Sequence, residues 1–422
     1  GEGNDTILSE KDGFGGRRMK KRGSPMLGFF MIVCLQSMAA NFAHPVTPTI
    51  IQNLGLGDYM FGLAFAGMAG TSFLFSPFWG RLADYVQSRT ILLICNLGYA
   101  LGQILFSLGT TEVTIMMARF VSGFFVGGVN VCMLTYTVNM SEPARRGGNL
   151  TVQATAVTVA GTFGYMIGGV LGEVSVNLAF GMQALCLSLS ALLFFFLLKN
   201  DRTERQKAIP LGQVARKANP FAAFMSAGQF MTTLFAVLFS VVFMVNFAFT
   251  AYDQCFNYYI KDQFGFSSMY NGFIKAAIGL ISLLANMTLC MYIIRKTDAA
   301  RSEVKVLFVS ALALFGAILG DAVVPFILLT VVYLSMNAVS VPVLQSVVAD
   351  GAPQEKSNIV MGFYNAIRSF GQVCGAAFAG FVYSAGPKVP FLWAGVALIL
   401  GGLGTVLYII LSNRRNSTCG KA

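Results

Sequence analysis

The sequence is poor in charged residues and in metal ligands. Only 11% of its 422 residues are Asp, Glu, Lys or Arg, whereas soluble domains carry roughly 25%. It contains a single histidine, His44, and its eight cysteines form no CxxC pair. Ligand sets at metal-binding spacing are therefore missing, and no phosphate loop or nucleophile–base set is recognisable. We expect no metal site, no bound cofactor and no enzymatic activity.

Long apolar runs are what the sequence has instead. Residues 177–198, NLAFGMQALCLSLSALLFFFLL, carry no charge over 22 positions. At about 1.5 Å per residue this run crosses a hydrocarbon layer of roughly 30 Å. Similar runs recur along nearly the whole chain, so the sequence predicts an all-α, multi-pass integral membrane protein. The first 25 residues are polar and carry RRMKKRG at positions 17–23, so we expect no cleaved signal peptide.

Charge clusters and Gly/Pro breaks divide the chain into twelve candidate spans. We expect an N-terminal tail (1–25), a six-helix bundle (26–198), a polar linker (199–229), a second six-helix bundle (230–412) and a C-terminal tail (413–422). The candidate spans are 26–52, 59–79, 90–109, 113–138, 149–172, 177–198, 230–259, 270–294, 304–321, 325–348, 359–384 and 389–412.

Basic residues fall mainly on one side of this layout. The tails and the even-numbered connections hold 24 of the 29 Lys and Arg residues, whereas the other side holds Lys261 and Lys388. By the positive-inside rule this bias places both termini and the linker in the cytoplasm. Basic residues scattered over short loops also argue against nucleic-acid binding, despite the net charge of +11. We expect a monomer in the plasma membrane, surrounded by lipid.

The two halves resemble each other at three landmarks. Their near-constant spacing predicts a duplicated six-helix unit, which is common among transporters. The landmarks are NLGLGDYMFG (53–62) with QFGFSSMYNG (263–272), 210 positions apart; SEPARRGGN (141–149) with DGAPQEKSN (350–358), 209 apart; and GYMIG (164–168) with GQVCG (371–375), 207 apart.

Three segments resemble motifs of the major facilitator superfamily. The loop GRLADYVQSR (80–89) is similar to that superfamily's cytoplasmic loop motif. RFVSGFFVGG (119–128) and GTFGYMIGG (161–169) resemble the fourth- and fifth-helix motifs of its twelve-helix drug:proton antiporters. The resemblance implies two pseudo-symmetric six-helix bundles that expose a central site to either side in turn, powered by the proton gradient.

The resemblance also implies roles for individual residues. Arg119 would take part in proton coupling, although a structural hydrogen-bond hub is the alternative. The basic loops would latch the two halves together at the cytoplasmic side, and a solvated Asp84–Arg89 surface pair is the alternative there. The gate residues would be Gly80, Asp84, Arg89, Arg145 and Arg146. Close helix packing is expected at the small-residue stripe, namely Gly161, Gly164, Gly168 and Gly169.

Polar side chains follow one face of the seventh span. Asn246, Thr250, Asp253 and Asn257 are separated by 4, 3 and 4 residues, so they share a helix face. An aspartate facing lipid would cost about 2.5–3.5 kcal/mol near the helix centre. We therefore predict that this face lines a water-filled central cavity, together with the equivalent face of the first span. The equivalent residues, 209 positions earlier, are Ser37, Asn41, His44 and Pro48.

Ionisable residues within the spans are the candidates for proton coupling. Helical rise places Asp253, Arg119, His44 and Lys275 about 10–13 Å below the outer boundary. We hypothesise that Asp253 carries the proton, with Lys275 or Arg119 as its conformation-dependent partner. A static Asp253–Lys275 pair and direct contact of Asp253 with a cationic substrate stay open, as does an uncharged hydrogen-bonding role for His44.

Amide and aromatic residues within the spans are the candidates for the cavity wall. Such a wall, with few charges, suits a small amphipathic organic molecule better than a phosphorylated one. The candidates are Asn41, Asn130, Tyr136, Gln153, Asn246, Thr250, Tyr252, Phe256, Asn257, Tyr333, Asn337, Gln345, Tyr364, Asn365 and Gln372.

Secondary active transport is the function that these patterns favour. The leading interpretation is proton-coupled export of small amphipathic compounds by alternating access. A proton symporter importing a sugar or similar metabolite stays open, because Tyr165 and Gln87–Ser88 depart from the antiporter motifs. A non-transporting receptor or scaffold is a third class, which the scarcity of extramembrane sequence disfavours.

Overall fold

The computed structural model describes residues 25–201 and 211–419, and these are almost entirely helical. The predicted N-terminal tail lies outside this described part apart from Pro25, as do linker residues 202–210 and the last three residues of the chain. No β-strand occurs within the described part. The predicted all-α membrane fold is therefore confirmed.

Sixteen α-helices follow one another along the described residues. They are α1 (Pro25–Ala40), α2 (Thr47–Asn53), α3 (Met60–Leu82), α4 (Ser88–Leu108), α5 (Glu112–Met140), α6 (Arg146–Val174), α7 (Val176–Leu197), α8 (Leu211–Lys217), α9 (Ala222–Met225), α10 (Thr233–Asp262), α11 (Ser268–Ala285), α12 (Met291–Lys296), α13 (Ala299–Ile318), α14 (Val323–Gly351), α15 (Ser357–Tyr383) and α16 (Val389–Cys419).

Twelve membrane spans are built from these helices. Nine helical segments of the described part are long and apolar enough to cross a bilayer, and α1 is a shorter apolar helix. The helices α13 and α15 complete the set. A π-helical turn over Asn286–Cys290 joins α11 to α12 within the eighth span. The ninth span begins at Ala299, five residues before its predicted start. The Asp298 side chain caps this helix by accepting a hydrogen bond from the Arg301 N–H at 3.0 Å, and the polar start of the helix includes the buried Glu303.

The first span is interrupted, where the sequence predicts a continuous one. The helix α1 ends at Ala40, and helical structure resumes at Thr47. Pro45 lies in between; it has no N–H to donate and disfavours helical backbone at the preceding residue. The carbonyl oxygen of Ala40 accepts hydrogen bonds from the Tyr99 hydroxyl at 3.3 Å and from the Gln183 amide at 3.2 Å. The Ala40 carbonyl oxygen, which the break leaves without a helical partner, therefore finds its hydrogen bonds within the first bundle.

The same glycine-mediated helix contact occurs in each half. In the first bundle α6 packs on the first span, through Gly164 against α1 and through Gly168 against the turn that follows α1; in the second, α15 packs on α10 through Gly371 and Gly375. A Cβ at any of the four would overlap backbone of the facing span, so the close approach requires glycine. The facing backbone belongs to Met38, Phe42, Phe243 and Phe247, respectively. These are the glycines of the GYMIG and GQVCG landmarks, and the repeated contact reflects the pseudo-symmetry of the two bundles.

Two close contacts join the bundles, α6 with α11 and α3 with α15. Between α6 and α11, a Cβ on Gly169 would lie 2.5 Å from the Ser268 carbonyl oxygen and 3.1 Å from the Gly272 Cα. Between α3 and α15, a Cβ on Gly380 would lie 2.5 Å from the Tyr59 carbonyl oxygen. We call this the closed end of the molecule, and it carries the turns 54–59, 263–267 and 384–388. The opposite, basic end carries the turns 83–87, 141–145 and 352–356.

Polar and aromatic contacts reinforce the closed end. The Thr49 and Ser268 hydroxyls lie 3.1 Å apart, and the Tyr258 hydroxyl donates to the Asp58 carboxylate. The Phe61 ring stacks on Tyr258 with 5.0 Å between the ring centres. Each of these contacts joins the first bundle to the second. They seal the bundles together at this end and leave the space between them for the cavities nearer the basic end.

Candidate functional site

Two cavities lie between the bundles, on the basic-end side of the sealed contacts. Cavity A, of about 620 Å³, lies between α6 and α11; cavity B, of about 750 Å³, lies between α3 and α15. Gln372 of α15 lines both, so the two meet at the centre of the molecule. Each has the volume that a small organic ligand needs. Beyond them, toward the closed end, a third cavity of about 20 Å³ has room for roughly one water molecule.

The polar stripe of the seventh span reaches these cavities in part. Asn246 and Asp253 lie on the wall of cavity A, and Asn257 lines the small cavity. Thr250 is 2% exposed and lines none of the three, which corrects that part of the prediction. From the first span, Asn41 lines cavity A. Of the other three residues on this face of the first span, His44 and Pro48 line the small cavity. Ser37 is buried and lies beside Gln36.

Asp253 of α10 and Lys275 of α11 form an ion pair on the wall of cavity A. The Gln254 amide donates to the second carboxylate oxygen at 3.3 Å, and the Lys275 ammonium lies 4.8 Å from the centre of the Phe256 ring. The Asp253 side chain keeps 19% exposure, against 7% for Lys275. Water in the cavity therefore reaches the carboxylate more readily than the ammonium.

Arg119 lies apart from this ion pair, on the small cavity. Its guanidinium carbon is 3.8 Å from the centre of the Phe106 ring, and its nitrogens lie 3.4 Å from the Thr47 hydroxyl and 3.7 Å from the Met68 sulfur. The Nε has no hydrogen-bond partner among the described residues. A buried cation without a counter-charge is costly, and no carboxylate of the described residues pairs with Arg119. The Phe106 ring face and the Thr47 hydroxyl are the groups that interact with its charge.

His44 connects the small cavity to cavity B, because it lines both. Its ring stacks on Tyr165 with 5.3 Å between the centres. Tyr165 also lies on the wall of cavity A. Tyr165, which departs from the antiporter motif, therefore lies between all three cavities.

Amide side chains, more than aromatic ones, form the predicted wall. Every predicted asparagine lines a cavity, as does one glutamine. These residues are Asn41, Asn246, Asn337 and Gln372 in cavity A, Asn130, Asn365 and Gln372 in cavity B, and Asn257 in the small cavity.

Eight predicted wall residues point elsewhere, which corrects the prediction for them. Besides Thr250 they are Tyr136, Gln153, Tyr252, Phe256, Tyr333, Gln345 and Tyr364. Four of them fill the interiors of the bundles. In the second bundle, Tyr252 packs 4.5 Å from Tyr333 and hydrogen-bonds Thr330, while Phe256 stacks on Phe326. In the first bundle, Tyr136 packs 4.8 Å from Phe29.

The remaining three are held by neighbours or face outward. The Thr137 hydroxyl donates to the side-chain oxygen Oε1 of Gln153, and the Tyr364 hydroxyl donates to the backbone carbonyl oxygen of Val341 at 3.4 Å. Gln345 is exposed on the surface of α14. The polarity of a residue alone does not show whether its side chain lines a cavity or makes a hydrogen bond between two helices of one bundle.

Sequence reasoning missed Arg368 as a wall residue. It is half-buried and lines cavity A, eleven residues into α15. The spacing of Asn365, Arg368 and Gln372 by 3 and 4 residues is a polar helical stripe that could have indicated it. Their polarity also explains why α15 is less apolar than most of the other spans.

The end of the linker also reaches the cavities. The sequence predicts a polar cytoplasmic connection, yet Asn219, Pro220, Ala222 and Ala223 line cavity B. The Phe224 ring of α9 contacts α3 and α15 together, with ring centres 6.2 Å from Phe73 and 5.6 Å from Phe363. This segment bridges the two bundles at the basic end of cavity B.

The predicted gate residues lie on the basic end of the first bundle. The Arg89 Nε donates to the side-chain oxygen Oε1 of Gln87 at 3.1 Å, and the Arg145 Nε lies 3.8 Å from the Glu142 carboxylate in an exposed pair. Gly80 lies near the end of α3, Asp84 in the following turn, and Arg146 begins α6. A latch between the halves stays a prediction, because it belongs to a conformation closed at the basic end.

The small-residue stripe of α6 has two neighbours. Gly164 and Gly168 face the first span, and Gly169 faces α11, as described above. Gly161 lies beside Asn41, where a Cβ would be 3.0 Å from the amide nitrogen. The stripe therefore lies where the first span, the fifth span and the second bundle meet.

Two helical bundles with a polar cavity between them are the arrangement of many secondary transporters. The model of the Major Facilitator Superfamily matches residues 29–371, and the chain belongs to this superfamily. It is thus a transporter rather than an enzyme, which confirms the family and the class of function expected from the sequence.

The chain is similar in sequence to bacterial drug-resistance proteins. It is 20% identical to "Multidrug resistance protein 2" of Bacillus subtilis (strain 168) over 358 residues, which cover 85% of this chain and 88% of that protein. It is 22% identical to "Tetracycline resistance protein, class C" of Escherichia coli over 396 residues, which cover 92% and 96%. At 24% identity it also matches "Quinolone resistance protein NorA" of Staphylococcus aureus (strain Mu50 / ATCC 700699) over 227 residues, covering 53% and 55%.

Solved structures share the fold. The human organic anion transporter MFSD10 (TETRAN) superposes with a TM-score of 0.65 at 19% identity, over 90% of this chain and 99% of that one. The nucleoside transporter NupG superposes with a TM-score of 0.67 at 14% identity, over 92% and 98%.

Proposed function

We propose that the protein exports small amphipathic organic compounds in exchange for protons, by alternating access between two six-helix bundles. The observation that carries this proposal is an acid, Asp253, that is paired with Lys275 on the wall of a cavity between the bundles. The printed names of the sequence relatives, which describe multidrug, tetracycline and quinolone resistance, support export over import. The proposal needs no bound cofactor.

The ion pair supplies the coupling in this scheme. When Asp253 binds a proton it loses its attraction to Lys275, and the released ammonium stays in a poorly solvated position. Proton binding thereby weakens the interaction between α10 and α11 and changes the free energy of this conformation. A change in the relative stability of two conformations is what couples a bound ion to a conformational step.

The cavities supply the substrate site. Their walls combine amides with aromatic and aliphatic side chains, including Phe249, Leu334 and Ile278 in cavity A and Phe65 and Phe73 in cavity B. Such walls suit an apolar body that carries a few polar groups. We assign the basic end to the cytoplasm by the positive-inside rule, so the described conformation faces inward, with both termini cytoplasmic.

Transport in everted membrane vesicles tests this proposal. With tetracycline and a quinolone as probes, we expect respiring vesicles to release lumenal protons when substrate is added. We expect Asp253→Asn to abolish both this release and substrate accumulation. Proton entry into the lumen with substrate would instead indicate symport, and normal transport by Asp253→Asn over a range of pH would refute the carrier role.

Two further variants make the result specific. Asp321→Asn removes an exposed aspartate that pairs with Lys388 at the closed end, and we expect it to transport as the wild type does. Removing one partner of a buried pair costs about 3–5 kcal/mol, so Asp253→Asn alone could lower protein yield. The double variant Asp253→Asn/Lys275→Gln removes the unpaired ammonium as well, and it should restore the folded yield but not proton-coupled transport.

A further inference from the structure

Cavity A carries an excess of positive charge. Among the described residues on its wall, the charged side chains are Asp253, Lys275 and Arg368. The first two form an ion pair with each other. No carboxylate of the described residues lies within ion-pair distance of Arg368, so its guanidinium is the uncompensated charge of the wall.

The surroundings of Arg368 do not provide a hidden counter-charge. Glu303 is the buried acid of the neighbouring part of the bundle, but it is fully buried against α14 and accepts a hydrogen bond from the Ser340 hydroxyl. It does not line either cavity. Taking an arginine partly out of water without a partner costs free energy. An anionic group entering the cavity would recover that cost.

Hydrogen-bond donors accompany the guanidinium on the same wall. Gln372 lies one helical turn further along α15, and Asn337 of α14, whose amide nitrogen can donate, is 7% exposed. Asn41 and Asn286 line the cavity too. Guanidinium binds a carboxylate or sulfonate through parallel hydrogen bonds, and amides can add further ones.

The rest of cavity A is apolar and bounds the remainder of the ligand. Its wall includes Phe249, Ile278, Leu334, Ala338 and Val341. With only one uncompensated cation, this cavity provides a counter-charge for a single acidic group. A polyanion would leave its other charges desolvated.

We propose that Arg368 is the anion-recognising residue of the transport cavity, and that the substrates are amphipathic compounds with one carboxylate or sulfonate on an apolar body. This assignment rests on the proposed transport function and narrows its substrate class. It makes Arg368 a substrate-binding residue, separate from the Asp253–Lys275 pair.

Binding of three matched dansyl probes to the protein in lipid nanodiscs tests the assignment. Dansylglycine carries a carboxylate, dansylglycinamide has the same body without charge, and N-dansylethylenediamine carries an ammonium. Fluorescence anisotropy gives the dissociation constant of each. Hydrogen bonds to a charged group are stronger than those to a neutral one, so we expect the wild type to bind dansylglycine at least about tenfold more tightly than the amide, which corresponds to about 1.4 kcal/mol.

Three variants locate the effect. Arg368→Gln should lower the affinity for dansylglycine about tenfold, to the level of the amide, and leave binding of the amide unchanged, which shows that the cavity is intact. Arg368→Lys should retain part of the preference, because it keeps the charge but not the planar fork. Arg301→Gln removes an exposed arginine that pairs with Asp298 outside the cavities, and it should bind all three probes as the wild type does.

The possible failures of the two proposals are distinguishable. Equal binding of the three probes by the wild type, a preference for the cation, no binding of dansylglycine, or an unchanged preference in Arg368→Gln would overturn the assignment of Arg368. If anion-selective binding is found but everted vesicles show no proton-coupled efflux, the proposed function fails and the binding assignment stands. If cations are exported in exchange for protons and Arg368→Gln does not change that export, the proposed function stands and the binding assignment fails.

Discussion

At the scale of single residues, the same side-chain chemistry occupies very different environments. Asn246 and Tyr252 lie six residues apart on α10, yet Asn246 lines cavity A while Tyr252 is 1% exposed inside the second bundle. Tyr252 satisfies its hydroxyl on Thr330 of α14. A polar residue in a span therefore needs a partner or water, and the partner can be another helix of the same bundle.

Glu303 is the most unusual single residue outside the cavities. Its side chain is fully buried; one carboxyl oxygen accepts a hydrogen bond from the Ser340 hydroxyl, and the other has no partner in the described part of the chain. An unpaired carboxylate is costly in such surroundings. We therefore expect Glu303→Gln, which keeps an acceptor for Ser340, to unfold at a temperature equal to or higher than that of the wild type at neutral pH.

Thermal unfolding of the purified protein in detergent measures this effect. Glu142→Gln is the matched control, because it neutralises an exposed glutamate at the same end of the molecule, and it should leave the unfolding temperature unchanged. Ser340→Ala should lower stability by about 1 kcal/mol through loss of the hydrogen bond. A clear drop in the unfolding temperature of Glu303→Gln alone would show that the negative charge is stabilised by the fold.

At the scale of elements, α6 is the helix whose sequence pattern matters most. Its glycines let it contact α1 on one side and α11 on the other. It therefore packs within the first bundle and also against the second. Small residues let the backbones of neighbouring membrane helices approach closely on both of these sides.

Gly168 provides the sharpest test of this packing. A Cβ there would lie 2.5 Å from the Phe42 Cα, in rigid backbone, and overpacking of this kind costs about 1–3 kcal/mol. We expect Gly168→Ala to lower the unfolding temperature and the yield of folded protein. Size-exclusion chromatography with thermal unfolding measures both.

Gly181 of α7 is the matched control for that substitution. It also lies within a membrane span, but a Cβ there meets no atom within 4 Å. Alanine is favoured over glycine in a helix by about 0.8–1 kcal/mol, so Gly181→Ala should be neutral or slightly stabilising. If the two variants behave alike, close approach at Gly168 is not what stabilises the contact of α6 with the first span.

At the scale of the whole molecule, the described conformation is sealed at one end and holds its cavities nearer the other. The sealed contacts pair glycines, hydroxyls and rings across the bundles and bury no ion pair among the described residues. The Asp58 carboxylate, which accepts from the Tyr258 hydroxyl, is the charged group among these contacts, and it is exposed. The other contacts are neutral and can separate without leaving an unpaired charge in a low dielectric. Such an interface suits an end that opens and closes in each transport cycle.

Cross-linking the sealed end tests whether it must open. The Thr49 and Ser268 hydroxyls are 3.1 Å apart, a separation compatible with a disulfide if both residues become cysteine. We expect the double variant Thr49→Cys/Ser268→Cys to lose transport on oxidation and to recover it on reduction. The measurement is substrate accumulation in everted vesicles, with and without dithiothreitol.

The two single-cysteine variants are the controls, because the chain has cysteines of its own. They should transport equally well before and after oxidation. Full transport by the cross-linked double variant, with the cross-link verified by mass spectrometry, would show that the two bundles can work without separating at this end.

Much of the architecture was determined by the sequence itself. The length and hydropathy of each run define a span, because a helix must cover the hydrocarbon layer and satisfy its own backbone. The glycine landmarks predicted a duplication, and the same glycines make the equivalent α1–α6 and α10–α15 contacts. These features are local, so each can be read from a short stretch of chain. The position of Asp253 beside Lys275 was also foreseeable, since both lie on adjacent spans at the same depth.

Only the tertiary structure decided which side chains share a cavity. Tyr252 and Tyr333 turn into the second bundle, Arg368 faces cavity A, and Phe224 of the linker reaches both bundles. The direction of each depends on helices that are distant in sequence and on how the two bundles meet. Hydropathy reports whether a residue tolerates lipid, but a cavity and the interior of a bundle both accept polar groups. The sequence alone therefore identifies the spans, whereas the packing of the spans determines the site.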